Sequence, residues 1–324
     1  MGSDLVLVTG ASGFVAGHCI LRLLNDGYRV RGSLRSLQRA AEVRQWLTKA
    51  LGRVDPGDAL SFVEAELTDA EIWATAMEDV RYVLHVASPI PSALPKHPDD
   101  LIVPAREGTL NVMRAASRAS VERVVQTSSS AAILYGRDDP NAHLFTEADW
   151  TDPDHKDNVP YTRSKTIAER AAWAELPTLT RRLEWVAINP GLVLGPVLDK
   201  DTSASVQVVA ALLKGQIPGL PRFDYAIVDV RDLADLEVRA MKATQAAGQR
   251  YICSGPFVSM SDIAQILREH LGPTARRVPT RKLPDGLVWA FSIARSAANC
   301  SNSERSGGSQ VLRLKRNWAG HRDP

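Results

Sequence analysis

Short apolar runs alternate with amphipathic stretches along the first 190 residues of the chain. Five of these runs have the length of a strand: Leu5–Val8, Arg29–Leu34, Tyr82–Ala87, Arg123–Thr127 and Trp185–Asn189. Between the runs, apolar side chains recur with helical spacing, as they do in Phe14–Asn25 and Asp99–Arg118. Nearly continuous apolar strands separated by helices predict a parallel sheet that helices cover on both faces.

After about residue 190 the pattern breaks into shorter pieces bounded by Gly and Pro, such as 189–196 and 217–221. These pieces predict a second, smaller lobe. Its segments are expected at 191–224 and 251–291, with 1–190 in the main domain and 225–250 returning to that domain. Residues 292–324 are rich in Ser, Arg and Gly and have little periodicity, so we expect a mobile tail there.

Composition and charge describe a globular protein of the size of an enzyme. The chain has 324 residues, of which 44% are hydrophobic and 23% charged, and its formal net charge is +2. That apolar content is enough for a large core and excludes a disordered chain. Ser292–Pro324 carries six basic and two acidic residues, so the rest of the chain is close to neutral. We therefore expect no nucleic-acid partner, because such a partner needs a basic surface stripe.

Other classes are excluded in the same way. No apolar run reaches the roughly 18 residues of a membrane span, and the N-terminus lacks the basic region of a secretory signal. We predict a cytoplasmic protein with no membrane partner. The cysteines Cys19, Cys253 and Cys300 have no CxxC or Cys/His spacing, which predicts reduced thiols and no metal site.

A glycine-rich turn follows the first strand. Residues 9–17 read TGASGFVAG and lead directly into the helical segment Phe14–Asn25. Gly10 permits a tight turn, Gly13 lets the backbone approach a pyrophosphate, and Ala16 is small enough for close helix–sheet packing. The helix N-terminus adds free N–H groups and a positive dipole end. This pattern predicts a dinucleotide site of the Rossmann type that includes Thr9, Gly10, Ser12, Gly13, Phe14 and Val15.

The next loop indicates which dinucleotide binds. About twenty residues after the glycines, a site for NAD carries Asp or Glu for the ribose 2′-hydroxyl. Here residues 31–41 contain Arg31, Arg35 and Arg39 and no acid. Guanidinium groups form charge-assisted hydrogen bonds with phosphate. We therefore predict that the cofactor is NADPH/NADP+ rather than NADH.

A tyrosine and a lysine stand four residues apart in the segment YTRSK. This spacing places Tyr161 and Lys165 on one face of a helix that continues through Trp173. An ammonium group near a phenol lowers the pKa of the phenol from about 10 toward neutral pH. Tyr161 is therefore a candidate proton donor to a carbonyl group.

Three serines follow the strand Arg123–Thr127, at the carboxyl end where open α/β sheets bind their ligands. A serine hydroxyl at this point can donate a hydrogen bond to a substrate oxygen. We choose Ser129 for this role. Ser128 and Ser130 remain alternatives, and a turn at the end of a strand explains either of them as well.

Taken together, these motifs resemble the extended short-chain dehydrogenase/reductases. The resemblance is closest to the dihydroflavonol-reductase-like branch, which includes carbonyl, aldehyde and methylglyoxal reductases. It covers about residues 4–290 and rests on VTGASGFVAGH (8–18), RGSLRSLQRA (31–40), VLHVASPIP (83–91), EGTLNV (107–112), VVQTSSSAA (124–132), YTRSK (161–165) and INPGLVLGP (188–196).

The resemblance implies reduction of a ketone or aldehyde to an alcohol by hydride transfer from NADPH. It also implies that Ser129, Tyr161 and Lys165 are the catalytic residues. The cofactor contacts that it implies are Arg35 and Arg39 at the 2′-phosphate, Glu66 and Leu67 where the family has Asp-Leu beside the adenine, and Ala87 and Pro190 along the cofactor. It further implies that Tyr161 and Lys165 contact the cofactor, with Lys165 at the nicotinamide ribose.

Two other functions stay open from the sequence. A nucleotide-sugar epimerase or dehydratase shares the fold and the Ser/Tyr/Lys set but retains NAD, which the basic loop with Arg35 and Arg39 disfavours. A regulator that only senses NADPH has little reason to carry the Tyr161–Lys165 pair. The apolar loops predict a hydrophobic or aromatic carbonyl substrate, and we expect a monomer or homodimer.

Overall fold

The computed structural model describes residues 4–52, 55–89, 97–137, 143–156, 158–199 and 203–284. In chain order the strands of this part are β1 (Leu5–Val8), β2 (Arg29–Leu34), β3 (Leu60–Glu64), β4 (Val80–His85), β5 (Arg123–Thr127), β6 (Glu184–Pro190), β7 (Leu192–Leu194), β8 (Asp224–Asp229), β9 (Arg250–Cys253) and β10 (Phe257–Ser259). Seven strands form one parallel sheet in the order β3-β2-β1-β4-β5-β6-β9. The order reverses between β1 and β4, which makes this a doubly wound Rossmann sheet, as the sequence predicts.

Helices pack on both faces of the main sheet. The helices of the described residues are α1 (Phe14–Asn25), α2 (Ala40–Leu51), α3 (Ile72–Ala76), α4 (Asp99–Arg118), α5 (Pro160–Glu175), α6 (Ala204–Leu213), α7 (Val230–Lys242) and α8 (Met260–Leu271). Alternate residues of β1 divide between two apolar clusters. Val6 and Val8 pack with α1, α2 and α7 on one face, and Leu5 and Leu7 pack with α3, α4 and α5 on the other. The serine loop after β5 therefore lies between the α5 face and the α7 face.

A three-stranded sheet forms the smaller lobe after residue 190. Its order is β10-β8-β7, with β7 parallel and β10 antiparallel to β8. A separate apolar cluster, which includes Leu212, Leu220, Met260 and Ile263, packs α6 and α8 against this sheet. The lobe begins directly after β6 at the carboxyl edge of the main sheet, which is where a ligand site is expected.

The segment that returns to the main domain begins and ends later than the predicted 225–250. It starts with α7 and ends with β9. Residues 224–229 form β8 of the small sheet, whereas α7 packs against α1 and β5, and β9 adds the seventh strand beside β6. Residues 251–253, expected in the smaller lobe, therefore belong to the main sheet. The reason is register, because Arg250 to Cys253 pair residue by residue with Ala187 to Pro190. The end of the predicted lobe at 285–291, the predicted tail at 292–324 and Cys300 lie outside the described residues.

Within the described part of the chain, no helix combines the length and the apolar character that crossing a bilayer requires.

Candidate active site

The glycine-rich turn joins β1 to α1 through a backbone conformation that favours glycine. Gly10 has a φ of +69°, in the left-handed region. A Cβ atom added to it would lie 3.1 Å from the Cβ of Ala87. Its N–H donates to Ser33 Oγ at 3.1 Å, which fixes the turn to the end of β2. The turn thus holds two predicted cofactor residues, Gly10 and Ala87, in contact across the carboxyl edge of the sheet.

The first turn of α1 is open to an anion. Gly13 is the N-cap in an extended conformation, no side chain of the described residues caps the helix, and no acidic residue lies in its first turn. The N–H groups of such an end, together with the helix dipole, attract phosphate. A Cβ at Gly13 would lie 3.1 Å from the carbonyl oxygen of Gly10. Ser12, Phe14 and Val15 flank this point, so the residues present fit the pyrophosphate of a dinucleotide.

Thr9 connects the glycine turn to the end of β4. Its Oγ1 accepts the N–H of Ala87 at 2.9 Å and lies 3.1 Å from Nδ1 of His85. Burial, and secondarily the nearby Lys165, lower the pKa of His85 to about 3. The imidazole is therefore neutral at pH 7. A buried, neutral imidazole fits a core or cofactor-side residue rather than an acid–base group.

The three arginines of the basic loop have different roles. Arg31 Nη1 donates to the carbonyl oxygens of Ala76 at 3.0 Å and Glu78 at 2.7 Å. Its guanidinium group therefore binds the end of α3 rather than a phosphate. Arg35 directly follows β2 and is exposed. Arg39 lies one helical turn further on and contacts Glu42 at 3.3 Å. Arg35 and Arg39 thus remain the candidates for the 2′-phosphate.

Glu66 and Leu67 form a short loop after β3. The Leu67 N–H donates to Glu66 Oε1 at 2.8 Å, and the Leu67 carbonyl accepts Asn111 Nδ2 at 3.0 Å. A Cβ on Gly108 would lie 2.9 Å from Leu67 Cβ, so the loop sits tightly against α4. The structure therefore anchors the segment that is predicted to face the adenine.

Helix α5 carries the predicted catalytic pair with unequal exposure. The Tyr161 side chain is 41% exposed, whereas Lys165, one turn later, is only 8% exposed and close enough to His85 to affect its pKa. Pro160 at the first turn starts the helix just before Tyr161. The phenol is therefore accessible to a substrate while the ammonium group is held in the interior beside β4.

The serine loop ends β5 and rests on the same helix. Thr166 of α5 is within 3.5 Å of the carbonyl oxygen of Ala131 in the turn that follows the serines. Ser128 Oγ donates to the buried Glu169 at 2.5 Å, so its hydroxyl is already committed. Ser129 Oγ accepts the Ala131 N–H at 3.1 Å and keeps its proton for another acceptor. This geometry favours Ser129 over Ser128 as the donor to a substrate.

Two further tyrosines border the site. Burial, and secondarily Tyr161, raise the pKa of Tyr135. Burial also raises the pKa of Tyr225 to about 12, with Tyr135 as the second cause. The phenols of Tyr161, Tyr135 and Tyr225 therefore form a sequence of neighbours from α5 to the small sheet, where the Phe223 ring lies 4.7 Å from that of Tyr225.

Comparison with known proteins assigns the chain to a family. The model of the NAD dependent epimerase/dehydratase family matches residues 6–253, which is most of the chain. The chain belongs to this family. Within it, the relatives place the chain in the dihydroflavonol-reductase-like branch of the extended short-chain dehydrogenase/reductases, as the motifs predict.

Curated relatives and solved structures agree on this branch. Cinnamoyl-CoA reductase 1 of Petunia hybrida is 34% identical over 274 residues, which are 82% of this chain and 77% of that protein. Tetraketide alpha-pyrone reductase 2 of Arabidopsis thaliana is 33% identical over 81% of each chain. The crystal structure of yeast methylglyoxal/isovaleraldehyde reductase Gre2 complexed with NADPH superposes with a TM-score of 0.74, at 29% identity and 85% coverage of each chain.

Sequence reasoning missed three polar residues of this epimerase/dehydratase-family site, Glu169, Asn189 and Arg250. Glu169 carried a usable signal, because it stands four residues after Lys165 and so shares a helix face with Lys165 and Tyr161. Asn189 precedes the predicted cofactor residue Pro190 at the end of β6. Arg250 begins β9, and nothing near it in the sequence indicates that it meets Glu169.

Proposed function

We propose that this protein reduces the carbonyl group of a ketone or aldehyde to an alcohol and uses NADPH. One observation carries the proposal: Tyr161 and Lys165 of α5 lie beside the serine loop of β5, at the same edge of the sheet as the uncapped glycine turn. Open α/β sheets bind ligands at this edge. NADPH, when bound there, supplies the hydride that adds to the carbonyl carbon.

Tyr161 has the role of proton donor in this proposal. Its exposed phenol gives its proton to the carbonyl oxygen as negative charge develops on that atom. Lys165 is one turn away, and its positive charge favours the phenolate that remains.

Ser129 has the role of hydrogen-bond donor to the same carbonyl oxygen. Its hydroxyl accepts the Ala131 N–H, which leaves the proton directed elsewhere. A donor that is already oriented stabilises the developing charge with no further reorganisation. Ser129 and Tyr161 would therefore hold the carbonyl oxygen between them, one on the serine loop and one on α5.

The substrate that we propose is hydrophobic and carries an aromatic or branched apolar group. Tyr135, Tyr225 and Phe223 provide ring surfaces between Tyr161 and the smaller lobe. Sites for apolar ligands are lined mainly by such side chains. The names of the relatives support the same class in three cases, which are cinnamoyl-CoA, a tetraketide alpha-pyrone and isovaleraldehyde. The methylglyoxal in the name of the yeast enzyme is smaller and more polar than this class.

The first experiment measures NADPH consumption with aldehydes, α-diketones, aryl ketones and a dihydroflavonol, and compares the unchanged protein with Tyr161→Phe. We expect the variant to lose at least about 100-fold in kcat, because only the proton donor is removed. Its Kd for NADPH by calorimetry should stay within about twofold. Substantial turnover by Tyr161→Phe would contradict the mechanism, and binding without turnover in the unchanged protein would favour the NADPH-sensing regulator.

A second experiment tests the choice of cofactor. Arg35→Ala should raise the Kd for NADPH by about 10- to 100-fold, because a charged hydrogen bond to the 2′-phosphate is lost. The Kd for NADH should change little. Arg31→Ala, from the preceding strand β2, is the control, and it should leave the ratio of the two constants unchanged. Equal losses for both cofactors in Arg35→Ala, or NAD retained through purification, would instead favour the epimerase or dehydratase.

A further inference from the structure

A fully buried carboxylate lies one helical turn beyond Lys165 on α5. Glu169 has no exposed surface, and each of its two oxygens accepts two hydrogen bonds. Oε2 accepts Ser128 Oγ at 2.5 Å and Asn189 Nδ2 at 2.7 Å. Oε1 accepts Arg250 Nε at 2.6 Å and Trp173 Nε1 at 3.3 Å. The carboxylate is therefore saturated with donors from three different elements and from its own helix.

Arg250 supplies the compensating charge from β9. Its side chain is 9% exposed, so the ion pair with Glu169 is largely excluded from water. The NH1 group donates to the carbonyl oxygens of Glu147 and Asp149 at 2.6 and 2.7 Å. The guanidinium also lies 3.6 Å from the ring centroid of Trp150. Arg250 is thus held on several sides and fixes Oε1 of Glu169 in place.

The other oxygen connects this ion pair to the serine loop. Asn189 Nδ2 donates both to Glu169 Oε2 and, at 3.1 Å, to the main-chain carbonyl oxygen of Ser129. Both partners are acceptors, so the orientation of the Asn189 amide is determined by the network. Ser128 reaches the same oxygen with its side chain. Two adjacent residues of the loop are therefore tied to one carboxylate.

We propose that Glu169 is a positioning residue that holds the hydroxyl of Ser129 at the place the reaction needs. This inference rests on the proposed function, in which Ser129 donates to the carbonyl oxygen. The Ser129 backbone is fixed through Asn189, and the residue before it is fixed through Ser128. Misplacement of a reacting group by about 1 Å can lower a rate by about 100-fold.

A carboxylate is needed because all four contacts are donors. An amide in the same place accepts at one end only, and its NH2 group faces donors at the other. If that NH2 group faces Asn189, the Asn189 amide turns to offer its oxygen and no longer donates to the Ser129 carbonyl. Glu169→Gln therefore disturbs the serine loop while it preserves the volume of the side chain.

The main test compares kcat for Glu169→Gln with a matched control, Glu184→Gln. Glu184 also pairs with a buried arginine, Arg123, but at the opposite end of β6. We expect Glu169→Gln to lower kcat by about 10- to 100-fold at an unchanged Kd for NADPH, and Glu184→Gln to alter kcat by less than about twofold. Normal kcat in Glu169→Gln would overturn the inference.

A double-mutant cycle separates positioning from general support of the fold. Ser129→Ala alone should lower kcat by about 100- to 1000-fold, as loss of one donor to a developing oxyanion does. When Glu169→Gln is added to Ser129→Ala, kcat should fall by less than about twofold more, because the hydroxyl to be positioned is absent. A full additional loss would show that Glu169 acts by another route and would overturn the inference.

The same series distinguishes the inference from the proposed function. Unchanged kcat in Ser129→Ala would contradict the role of Ser129 itself, whatever Glu169 does. If Glu169→Gln does not fold, Ser128→Ala replaces it, since this variant removes one contact and leaves the ion pair intact. Ser128→Ala should lower kcat by about 3- to 10-fold and lose this effect in the Ser129→Ala background. No change in kcat for Ser128→Ala would then count against the inference.

Discussion

Neighbouring residues at the end of β5 reach two buried carboxylates on opposite faces of the main sheet. Thr127 Oγ1 donates to Glu237 of α7 at 2.5 Å, and Ser128 Oγ donates to Glu169 of α5 at the same distance. Both glutamates have no exposed surface. The two faces differ in the cation, since Glu169 pairs with Arg250, whereas no Lys or Arg of the described residues forms an ion pair with Glu237.

The two glutamates are equally buried, so the difference between the two faces lies in the partners of each carboxyl group. Among the described residues, Glu237 accepts only Thr127 Oγ1 and, at 3.1 Å, the Sγ of Cys19. Burial raises the pKa of Glu237 to about 7, because these weak donors only partly offset the loss of water. The α5 face thus holds an ion pair beside the proposed catalytic residues, and the α7 face holds an acid that exchanges its proton near neutral pH.

The largest expected effect comes from removing the cation of the α5 face. Arg250→Met leaves the Glu169 charge buried without a partner, which should lower the free energy of unfolding by about 3–5 kcal/mol. Urea unfolding at pH 7 measures the loss. Arg250→Met combined with Glu169→Leu should recover much of the stability, because the unpaired charge is gone. A loss below about 1 kcal/mol in Arg250→Met would mean that the two faces do not differ in this way.

The second expected effect is a pH dependence of the free energy of unfolding, caused by Glu237 on the α7 face. The folded pKa of Glu237 is raised above its ordinary 4.5, so the folded protein binds more protons than the unfolded chain between about pH 4.5 and 7. The associated stability is complete below pH 4.5 and is lost as the pH rises to 7. Glu237→Gln should therefore raise the free energy of unfolding by about 3 kcal/mol at pH 8 and by little at pH 4.

The measurement is the free energy of unfolding of Glu237→Gln minus that of the unchanged protein, plotted against pH. Taking the difference cancels the contribution of other titrating groups such as His85. Urea unfolding at several pH values supplies it. A difference that does not vary between pH 4 and 8 would contradict the raised pKa. Activity should remain near that of the unchanged protein, in contrast to Glu169→Gln.

A smaller effect is expected from the aromatic ring beside the α5 face. Trp150→Leu removes the ring next to the Arg250 guanidinium and should lower the free energy of unfolding by about 2 kcal/mol, as loss of a desolvated cation–π contact does. The Arg250–Glu169 bond remains. The loss should be the same from pH 6 to 9, because no group that titrates in this range is removed. A strongly pH-dependent loss would argue against its assignment to the cation–π contact of Trp150 with Arg250.

The smallest expected change in the free energy of unfolding comes from Cys19 of α1, whose thiol donates a hydrogen bond to Glu237. Cys19→Ala removes one hydrogen bond to Glu237 and should lower the free energy of unfolding by about 1 kcal/mol. Since this bond lowers the pKa of Glu237, its removal should make the loss greater at pH 8 than at pH 5. An equal loss at both values would show that the thiol acts by packing alone.

Periodicity was sufficient to predict several of the elements that surround the site. The strands Leu5–Val8, Arg29–Leu34 and Arg123–Thr127 and the helices Phe14–Asn25 and Asp99–Arg118 have the predicted bounds, because buried parallel strands and amphipathic helices leave clear patterns. β4 begins two residues earlier and ends two residues earlier than predicted, since Val86 and Ala87 lie beyond its last pairing with β5.

Other features had no local pattern to reveal them. β3 (Leu60–Glu64) is an edge strand with a mixed sequence, and β7 and β10 have only three residues each. Arg31 was grouped with Arg35 and Arg39 by its charge, but the carbonyls at the end of α3 that bind it come from a distant part of the chain. The Glu169–Arg250 pair was missed for the same reason, because a tertiary contact between charges leaves no periodic signal.

The position of β9 at the edge of the main sheet also determines the order in which the chain can complete its site during translation. Arg250 follows Glu169 by 81 residues, which at about 5–20 residues per second corresponds to about 4 to 16 s of synthesis. The whole β7–β8 segment of the small sheet is made in that interval. The nascent chain therefore carries Tyr161, Lys165 and the serine loop well before Arg250, which pairs with the carboxylate of Glu169. The proposed active site is finished only when the seventh strand has left the ribosome.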